Sequence, residues 1–599
     1  MQKINKILVI TIITLLITIN IKSEVRYVSK TAGSIAPYTT WETACDSLQK
    51  CFNYCQSGDT VYVNRGIYRE VIYVYGKDLT IIGVDTDECI IDGTGIEGIH
   101  SRYGMCWFQM GNTTIKNLTL KYKRVDDSDN YTAAVFQDLF TVVSNCIIDS
   151  TARGFAFLDK THLSNSIIRN VDVAIDIGGF LDPEFEFNNN YFYILSNKSY
   201  EGAINNGAGG GNFKIYNNIF LKNIEEVDQY AISISTNGRV DIKNNLFWKF
   251  KRAIEEWSYP DGVRDTTFII NNTMVNCYIL EVLTGNMPKE RIIKNNIMAY
   301  GKLGICSYNG HPVTSDYNMY YKLWKSPYYQ VTPGEHDIIA DPMFNNDTIA
   351  TLAGGYDYRL QKYSPAIDAG DPSILDVDGT RSDMGMYGGP LGTKYAYEDL
   401  APKRIDYITA EYQPDTNRIK LLWEKRDESD FKEYRLYKDI NPNFVIDSTK
   451  LTAKLTDTLY YDNLPKGTQK LYYKITAIDN TGNESRPSAE INVTITDNDD
   501  AVITQNYNYE LYQNYPNPFN PSTTISYSLK EPGEVRIKLY SVTGQLIKTI
   551  IEGTKNKGFN ETKIDFSNYS SGIYLYRLEV TGEGKIPVFN DLKKMTFIK

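Results

Sequence analysis

One segment of the chain, residues 249–265, mixes acidic, basic and aromatic side chains in the way that carbohydrate chemistry requires. A carboxylate can transfer a proton or hold a cation, and an arginine can neutralise an acidic substrate. An aromatic ring can stack on a sugar ring. The candidate catalytic residues are Glu255, Glu256, Asp261 and Arg264, and the candidate substrate-binding residues are Trp257 and Tyr259. The sequence predicts that this segment is a loop in which an aromatic ring stacks on a sugar and the carboxylates transfer a proton or bind a cation. The alternative is a solvated charged loop without such a role, with one aromatic side chain packed on the protein.

A second acidic segment has the composition of a cation-binding loop. Asp376, Asp378 and Asp383 surround Gly379 and supply the oxygen atoms that Ca²⁺ prefers. The full twelve-residue EF-hand pattern is absent, because no Glu occupies its last position. The alternative to a Ca²⁺ site is a capped turn in which the Asp side chains bond to the backbone.

Two further sets of charged residues are weaker candidates. One is an acidic group comprising Asp176, Asp182, Glu184, Glu186 and Glu201, and the other comprises Asp159, Lys160 and His162. A single His is more often structural than catalytic. None of these sets identifies a reaction alone.

The elements that position these residues are indicated by a repeated phrase, an Asn between two short apolar runs. It occurs at Asn117, Asn145, Asn165, Asn190, Asn218, Asn245, Asn272, Asn296 and Asn318. The mean step is roughly 25 residues, which is in the range of solenoid repeats. A strand, a sharp turn at Asn and a second strand fit one coil of a parallel β-helix.

Asn suits such a corner for two reasons. It tolerates positive φ better than other non-glycine residues, since its short amide can bond locally. Coils stacked one strand spacing apart would also bring successive amides close enough to form a ladder. The sequence therefore predicts that the nine Asn line up along one edge of the solenoid.

Coils of this length resemble the right-handed parallel β-helix of the pectate-lyase-like superfamily. The resemblance covers roughly residues 25 to 390, and it implies a β-helix domain over residues 24–398. Apolar residues at helical spacing predict one amphipathic helix from Thr40 to Cys55, which resembles the N-terminal cap of such folds. The family implies a substrate groove on the outer face and cleavage of polysaccharides by β-elimination or hydrolysis. The signature sets of polygalacturonases and of common pectate lyases are both absent, so no catalytic residue transfers from either.

Composition limits the partners. The chain has 599 residues and a formal charge of −10, which argues against nucleic acid as a partner. Lys3 and Lys6 precede an apolar stretch, which predicts a signal peptide over residues 1–23. Its removal would make the charge −13, so an anionic polysaccharide would need a local basic patch or a bound cation. Export permits disulfides among the eight Cys, and their pairing is left open.

Residues 401–497 predict a separate β-sandwich. Short alternating strands contain one core Trp and no Cys. Trp423, the pair Leu464 and Tyr473, and the turn at 479–485 resemble a fibronectin type III domain. Such modules are mostly spacers.

The last segment, residues 505–599, carries the most specific motif. The run Tyr512-Gln513-Asn514-Tyr515-Pro516-Asn517-Pro518-Phe519-Asn520-Pro521 precedes alternating strands and a closing Lys593-Lys594-Met595. This resembles the C-terminal sorting domain of the type IX secretion system. The resemblance implies that the secretion machinery is a partner, and that the chain meets the outer membrane only through secretion or surface anchoring.

These observations predict an all-β protein with a parallel β-helix followed by two small β-sandwich domains. The leading functional hypothesis is a secreted or cell-surface protein that engages polysaccharide, with lyase or glycoside hydrolase activity as its enzymatic form. The alternative is a non-catalytic surface adhesin that uses the solenoid for display. The two differ in whether carboxylates and a basic residue converge in one groove.

Overall fold

The computed structural model describes most of the chain outside the N-terminus and a set of connecting segments. The described residues are 23–96, 104–122, 133–178, 184–194, 202–207, 211–222, 229–258, 265–285, 289–307, 312–346, 357–464, 470–495, 501–507, 509–514, 517, 519, 521–567, 569–582 and 587–598. The predicted signal peptide therefore lies outside them except for Ser23.

Three long parallel sheets form the first part of the molecule, here called sheets A, B and C. Sheet A contains Val25–Val28, Asp59–Val63, Leu79–Gly83, Thr113–Lys116, Thr141–Ser144, Thr161–Ser164, Glu184–Asn188, Asn212–Tyr216, Val240–Lys243, Thr267–Ile270, Arg291–Lys294 and Val313–Asp316. Sheet B contains Gly66–Tyr68, Cys89–Asp92, Thr119–Lys121, Ile147–Asp149, Ile167–Val171, Tyr191–Ile194, Ile219–Lys222, Leu246–Trp248, Thr273–Val275, Ile297–Ala299, Met319–Tyr321 and Ile338–Ile339. Sheet C contains Ile72–Tyr75, Cys106–Gln109, Ala133–Gln137, Arg153–Phe157, Val173–Ile177, Gly202–Asn206, Tyr230–Ser235, Arg252–Ser258, Ile279–Gly285, Leu303–Ser307 and Ser326–Tyr329.

The chain visits sheets A, B and C in turn, and each strand pairs with its counterpart one coil later. This is a right-handed parallel β-helix, so the predicted fold class is confirmed. Apolar side chains stack inside it at equivalent positions. Phe192, Phe220 and Phe247 lie with ring centroids 4.8 and 5.0 Å apart on successive coils of sheet B. Such in-register burial makes each coil the packing surface for the next.

The repeated Asn lie at the corner between sheets A and B. Their two predicted roles, positive φ and the amide ladder, fall on adjacent residues. One column has positive φ, and its members are Asn117, Asn145, Asn165, Asn189, Asn217, Asn244, Asn271, Asn295 and Tyr317. The next residue of each coil forms the second column, where an amide ladder runs through Asn190, Asn218, Asn245, Asn272, Asn296 and Asn318. The nine predicted Asn all lie at this corner, but the first three belong to the first column and the other six to the second.

The cap helix is shorter than predicted. It spans Leu48–Tyr54, and the Ser47 side chain accepts a hydrogen bond from the Lys50 N–H at its start. Residues before Ser47 are not helical because Cys45 forms a parallel bridge with Val28 at the edge of sheet A. The main-chain N–H of Cys45 donates to Tyr27 O at 2.8 Å. The segment thus extends the sheet before the helix covers it.

Antiparallel structure follows the solenoid. Phe344–Asn346 pairs with Asp357–Leu360. A β-sandwich then combines Ile408–Gln413, Arg418–Trp423 and Leu459–Asn463 with Leu451–Leu455, Phe431–Asp439, Lys470–Asp479, Glu490–Ile495 and Ala501–Asn506, and it includes a 3₁₀ turn at Pro414–Thr416. Its last strand overlaps the predicted start of the next domain. Trp423, Leu464 and Tyr473 are buried together in its core.

The C-terminal domain is a second small sandwich. Its three-stranded sheet contains Glu510–Leu511, Ser522–Leu529 and Gly558–Asp565, and its four-stranded sheet contains Leu546–Lys555, Gly533–Ser541, Gly572–Thr581 and Pro587–Phe597. Phe519 from the Pro-rich entry packs on Phe566 and Phe597 in its core.

All eight Cys are free thiols with buried side chains. Cys146 and Cys277 take interior positions in the core of the solenoid. In the described part of the chain, none of the helices has the length and apolar character needed to cross a bilayer.

Candidate functional site

A row of polar side chains crosses the outer face of sheet C. Asp176, Asn205, Ser233 and Glu255 occupy one register position on four consecutive coils. Each follows an Ile that is buried in the solenoid core, so alternation along the strand directs the row outward. The coil spacing is about 4.8 Å, and the row therefore spans about 14 Å. We call these four residues the outer row.

The two ends of the outer row carry paired charges, and its middle is neutral. Arg153 forms an ion pair with Asp176, and Arg252 contacts the Glu255 carboxylate at 2.5 Å. Asn205 and Ser233 make no side-chain hydrogen bond within the described residues. Their amide and hydroxyl groups therefore offer donors and acceptors that the described protein does not use.

Sequence reasoning missed the middle of this row, although a signal was present. Four successive coils of sheet C read Ala-Ile followed by a polar residue: Ala174-Ile175-Asp176, Ala203-Ile204-Asn205, Ala231-Ile232-Ser233 and Ala253-Ile254-Glu255. The Ala and Ile of every copy are buried. A search for repeats on sheet C, in addition to the Asn corner, would have found it.

The segment 249–265 was predicted to be a loop, and that prediction is wrong for its central part. Arg252–Ser258 is a strand of sheet C, paired on both sides. Glu255 and Glu256 are neighbours in this strand and so point to opposite faces. Glu255 belongs to the outer row, where its side chain is 4 % exposed, and Glu256 lies inside the solenoid, where its side chain is 2 % exposed.

Glu256 is held by an interior ion cluster. Its Oε1 lies 2.8 Å from Lys289 Nζ, and its Oε2 lies 2.8 Å from Arg291 Nε. Thr267 donates its hydroxyl to Oε1 at 2.5 Å. Burial alone would raise the pKa of Glu256, but the charges of Arg291 and Lys289 outweigh it and hold that pKa below its usual value. An inaccessible, doubly paired carboxylate favours a structural role over proton transfer.

The other candidates of this segment are not brought into the row by the described structure. The backbone of Trp257 is part of the strand, in register with Ser235 and Thr284. Tyr259, Asp261 and Arg264 lie outside the described residues. Their catalytic and binding roles stay predictions.

The two weaker sets are divided between faces. Asp176 is in the outer row of sheet C, while Glu184 and Glu186 belong to a strand of sheet A. Asp182 and Glu201 lie outside the described residues. In the third set, Lys160 lies 3.9 Å from Glu184 as an exposed ion pair, and His162 packs edge-on against Phe140.

The acidic loop with Asp376, Asp378 and Asp383 serves to shape the segment that closes the solenoid. Asp376 accepts main-chain N–H groups of Asp383 and Gly389, and Asp378 accepts both N–H and O–H of Thr380. Tyr397 donates to Asp383 at 2.7 Å. Among the described residues, these three carboxylates do not form a group with metal-binding spacing. The geometry favours the capped turn over a Ca²⁺ site.

The closing segment gives a further role to three Asn of the positive-φ column. The side chains of Asn244, Asn271 and Asn295 bind its backbone. Asn271 Nδ2 donates to Asp383 O at 2.8 Å, and Asn295 Oδ1 accepts the N–H of Asp371 at 2.7 Å. A Cβ on Gly385, which has φ of +92°, would lie 2.8 Å from Ile297 Cδ1, so only Gly allows this close approach.

Comparison with known families identifies the C-terminal domain. Residues 513–586 match the family model described as "Secretion system C-terminal sorting domain". Such a domain marks its chain for type IX secretion. The protein is therefore secreted or attached to the cell surface.

Solved structures similar to the chain include proteins that act on or bind sugars. A complex of XylC with xylose shares 10 % identity over 52 % of this chain and 87 % of its own, with a TM-score of 0.36. Pectate lyase Pel9A shares 13 % identity over 61 % of this chain and 97 % of its own, with a TM-score of 0.31. Fibronectin domains of chicken CNTN1 share 10 % identity over 35 % and 72 %, with a TM-score of 0.13. No curated protein matches the chain. Likenesses this distant carry no argument about activity.

Proposed function

We propose that the β-helix of this secreted protein binds a polysaccharide along the outer row of sheet C. The observation that carries the proposal is the pair Asn205 and Ser233, whose polar groups have no partner among the described residues. Asp176 and Glu255 lie on either side of them. Sugar hydroxyls both donate and accept hydrogen bonds, and amide, hydroxyl and carboxylate groups in a row offer matching partners.

The charge of the row favours a neutral glycan. Each carboxylate of the row is paired with an arginine, Asp176 with Arg153 and Glu255 with Arg252. A chain with net negative charge would repel an acidic polysaccharide unless a basic surface offset it. The described arginines of the row are already committed to carboxylates. Hydroxyl-rich neutral sugar units are therefore the proposed ligand class.

Cleavage is a separate question, and the row argues for binding without hydrolysis. The carboxylates Asp176 and Glu255 are three coils apart, about 14 Å. Glycoside hydrolysis uses carboxylates separated by about 5–9.5 Å. A hydrolytic pair would need a further acid such as Asp261. The lyase or hydrolase hypothesis thus stays a prediction, and the adhesin alternative agrees with the spacing.

Replacing Asn205 with alanine should weaken glycan binding about tenfold, the effect of losing ~1.4 kcal/mol of hydrogen bonding. The mature chain, residues 24–599, would be tested on a panel of neutral and acidic polysaccharides by affinity electrophoresis and calorimetry. Lys214→Ala is the matched control, because Lys214 is exposed on sheet A of the following coil. It should leave the affinity unchanged.

Two results would overturn the proposal. One is no retention on any glycan, and the other is equal affinity of Asn205→Ala and the wild type for a glycan that binds. Reducing-end and unsaturated-product assays on the same panel would separate cleavage from binding. Turnover would favour the enzyme hypothesis, and retention without turnover would favour the adhesin.

A further inference from the structure

Three carboxylates meet where the segment leaving the solenoid contacts the first sandwich domain. Asp399 belongs to that segment, Asp430 precedes the strand Phe431–Asp439, and Asp479 ends the strand Lys470–Asp479. One oxygen from each lies within 4.8 Å of the others. Within the described part of the chain, no other group of His, Cys, Asp and Glu meets this criterion.

Asp430 separates this cluster from an ordinary acidic surface. The residue is only 5 % exposed, and its carboxylate is directed at Asp399 and Asp479. In the described structure, its side chain receives no hydrogen bond or ion pair from any other residue. A buried carboxylate without a partner is strongly unfavourable unless a cation or a proton compensates it.

The surrounding charges do not supply that compensation. Asp479 is fully buried, and Glu428 nearby is 7 % exposed. Lys362 forms an ion pair with the cluster in the described structure: its Nζ lies 3.7 Å from Asp399, and its side chain is half exposed. Burial and the Asp479 carboxylate raise the pKa of Asp430 to about 6. The cluster therefore has more negative charge than its described neighbours neutralise.

The turn after Asp479 makes the site rigid. Asp479 Oδ1 accepts the N–H groups of Thr481, Gly482 and Asn483 at 2.7–2.9 Å. Asn483 Nδ2 then bridges Asp479 Oδ2 at 2.9 Å and Asp399 Oδ1 at 3.0 Å. Asp479 of the sandwich and Asp399 of the segment leaving the solenoid are thus held in place by hydrogen bonds, and the Asp430 carboxylate faces both of them.

We propose that Asp399, Asp430 and Asp479 bind a Ca²⁺ ion that clasps the solenoid to the first sandwich domain. Ca²⁺ takes six to eight oxygen ligands in flexible geometry, and water would complete the shell around the three carboxylates. Extracellular modules bind Ca²⁺ with dissociation constants of about 10⁻⁴–10⁻³ M, which suits a secreted protein. The ion would set the orientation of the two domains.

The test uses the mature chain, dialysed against EDTA and titrated with CaCl₂ in thermal melting and calorimetry. Wild type should bind one Ca²⁺ at this site and melt at a higher temperature with the ion. Asp430→Asn should weaken Ca²⁺ affinity at least about tenfold. In EDTA the same variant should melt above wild type, because it removes the uncompensated buried charge. The order of the two melting temperatures should therefore reverse when Ca²⁺ is added.

Two controls locate the effect. Asp427→Asn makes the same change at an exposed position of the same segment, and Asp378→Asn makes it in the acidic closing loop. Both should keep the full Ca²⁺ response. Limited proteolysis of wild type at residues 399–407 should slow with Ca²⁺, which tests the clasp without any variant. The proposal would be overturned if Ca²⁺ changed neither the melting temperature nor the cleavage rate of wild type. It would also be overturned if Asp430→Asn bound Ca²⁺ as tightly as wild type.

Discussion

Replacing Glu256 with glutamine should lower the free energy of unfolding of the β-helix by about 3–5 kcal/mol. The side chains of Lys289 and Arg291 are fully buried, and Glu256 is the carboxylate that pairs with both. Its neutralisation leaves two cations in the interior of the solenoid with reduced compensation. Urea unfolding, combined with hydrogen exchange in the strands Arg252–Ser258 and Arg291–Lys294, would measure the loss.

The matched control replaces all three charges. A variant with Glu256→Met, Lys289→Met and Arg291→Met keeps similar volume and removes the charge imbalance, so it should recover most of the stability. Glu255→Gln should cost less than Glu256→Gln, because Glu255 pairs with the partly exposed Arg252, whereas Glu256 pairs with two fully buried cations. If Glu256→Gln were as stable as Glu255→Gln, the interior cluster would not have the energetic role assigned to it.

Acid should weaken the same cluster. Because the pKa of Glu256 in the folded protein is below its ordinary value, its contribution is fully present above the unfolded pKa of about 4.3. The contribution falls as pH drops through the folded pKa. We expect wild type to lose stability more steeply than the triple variant below about pH 4.3. Parallel unfolding curves from pH 7 to 3 would contradict this.

The contrast between Glu255 and Glu256 shows what the sequence could reveal about the site. Both were candidates because the segment was taken as a loop, where neighbouring side chains have no fixed direction. In a strand, successive side chains point to opposite faces, so Glu256 points into the solenoid and Glu255 points to its outer face. The Ala-Ile-polar repeat was the local signal for that strand. The ion cluster itself could not be predicted, since Lys289 and Arg291 lie 33 and 35 residues further along the chain.

The solenoid and the sorting domain were predictable for a different reason. Every coil has the same corner, with the same conformational requirement. Asn therefore recurs in the sequence wherever the corner needs positive φ or an amide for the ladder. The sequence could not show that these two tasks fall on adjacent residues. The docking of Asn244, Asn271 and Asn295 on the closing segment joins positions more than seventy residues apart. The meeting of Asp399 with Asp430 and Asp479 likewise depends on how two domains pack.

Truncating Asn245 to alanine should destabilise the solenoid by ~3–5 kcal/mol. Its Oδ1 accepts the main-chain N–H of Asn218 at 2.9 Å, and its Nδ2 donates to Ile215 O at 2.8 Å and Asn272 Oδ1 at 3.0 Å. All these groups are buried, so water does not replace the lost partners. Each buried group that loses its hydrogen bond costs about 1–3 kcal/mol.

Asn205→Ala is the control for this measurement, because it removes an amide from the outer face of the same solenoid and should change stability by less than about 1 kcal/mol. Urea denaturation gives the difference, and hydrogen exchange at the Asn218 N–H gives its location. Faster exchange confined to the coils beside Asn245 would show that the ladder ties each coil to the next. Equal stability of the two variants would mean that the main-chain pairing of the sheets suffices, and that the amide column adds little to the stack.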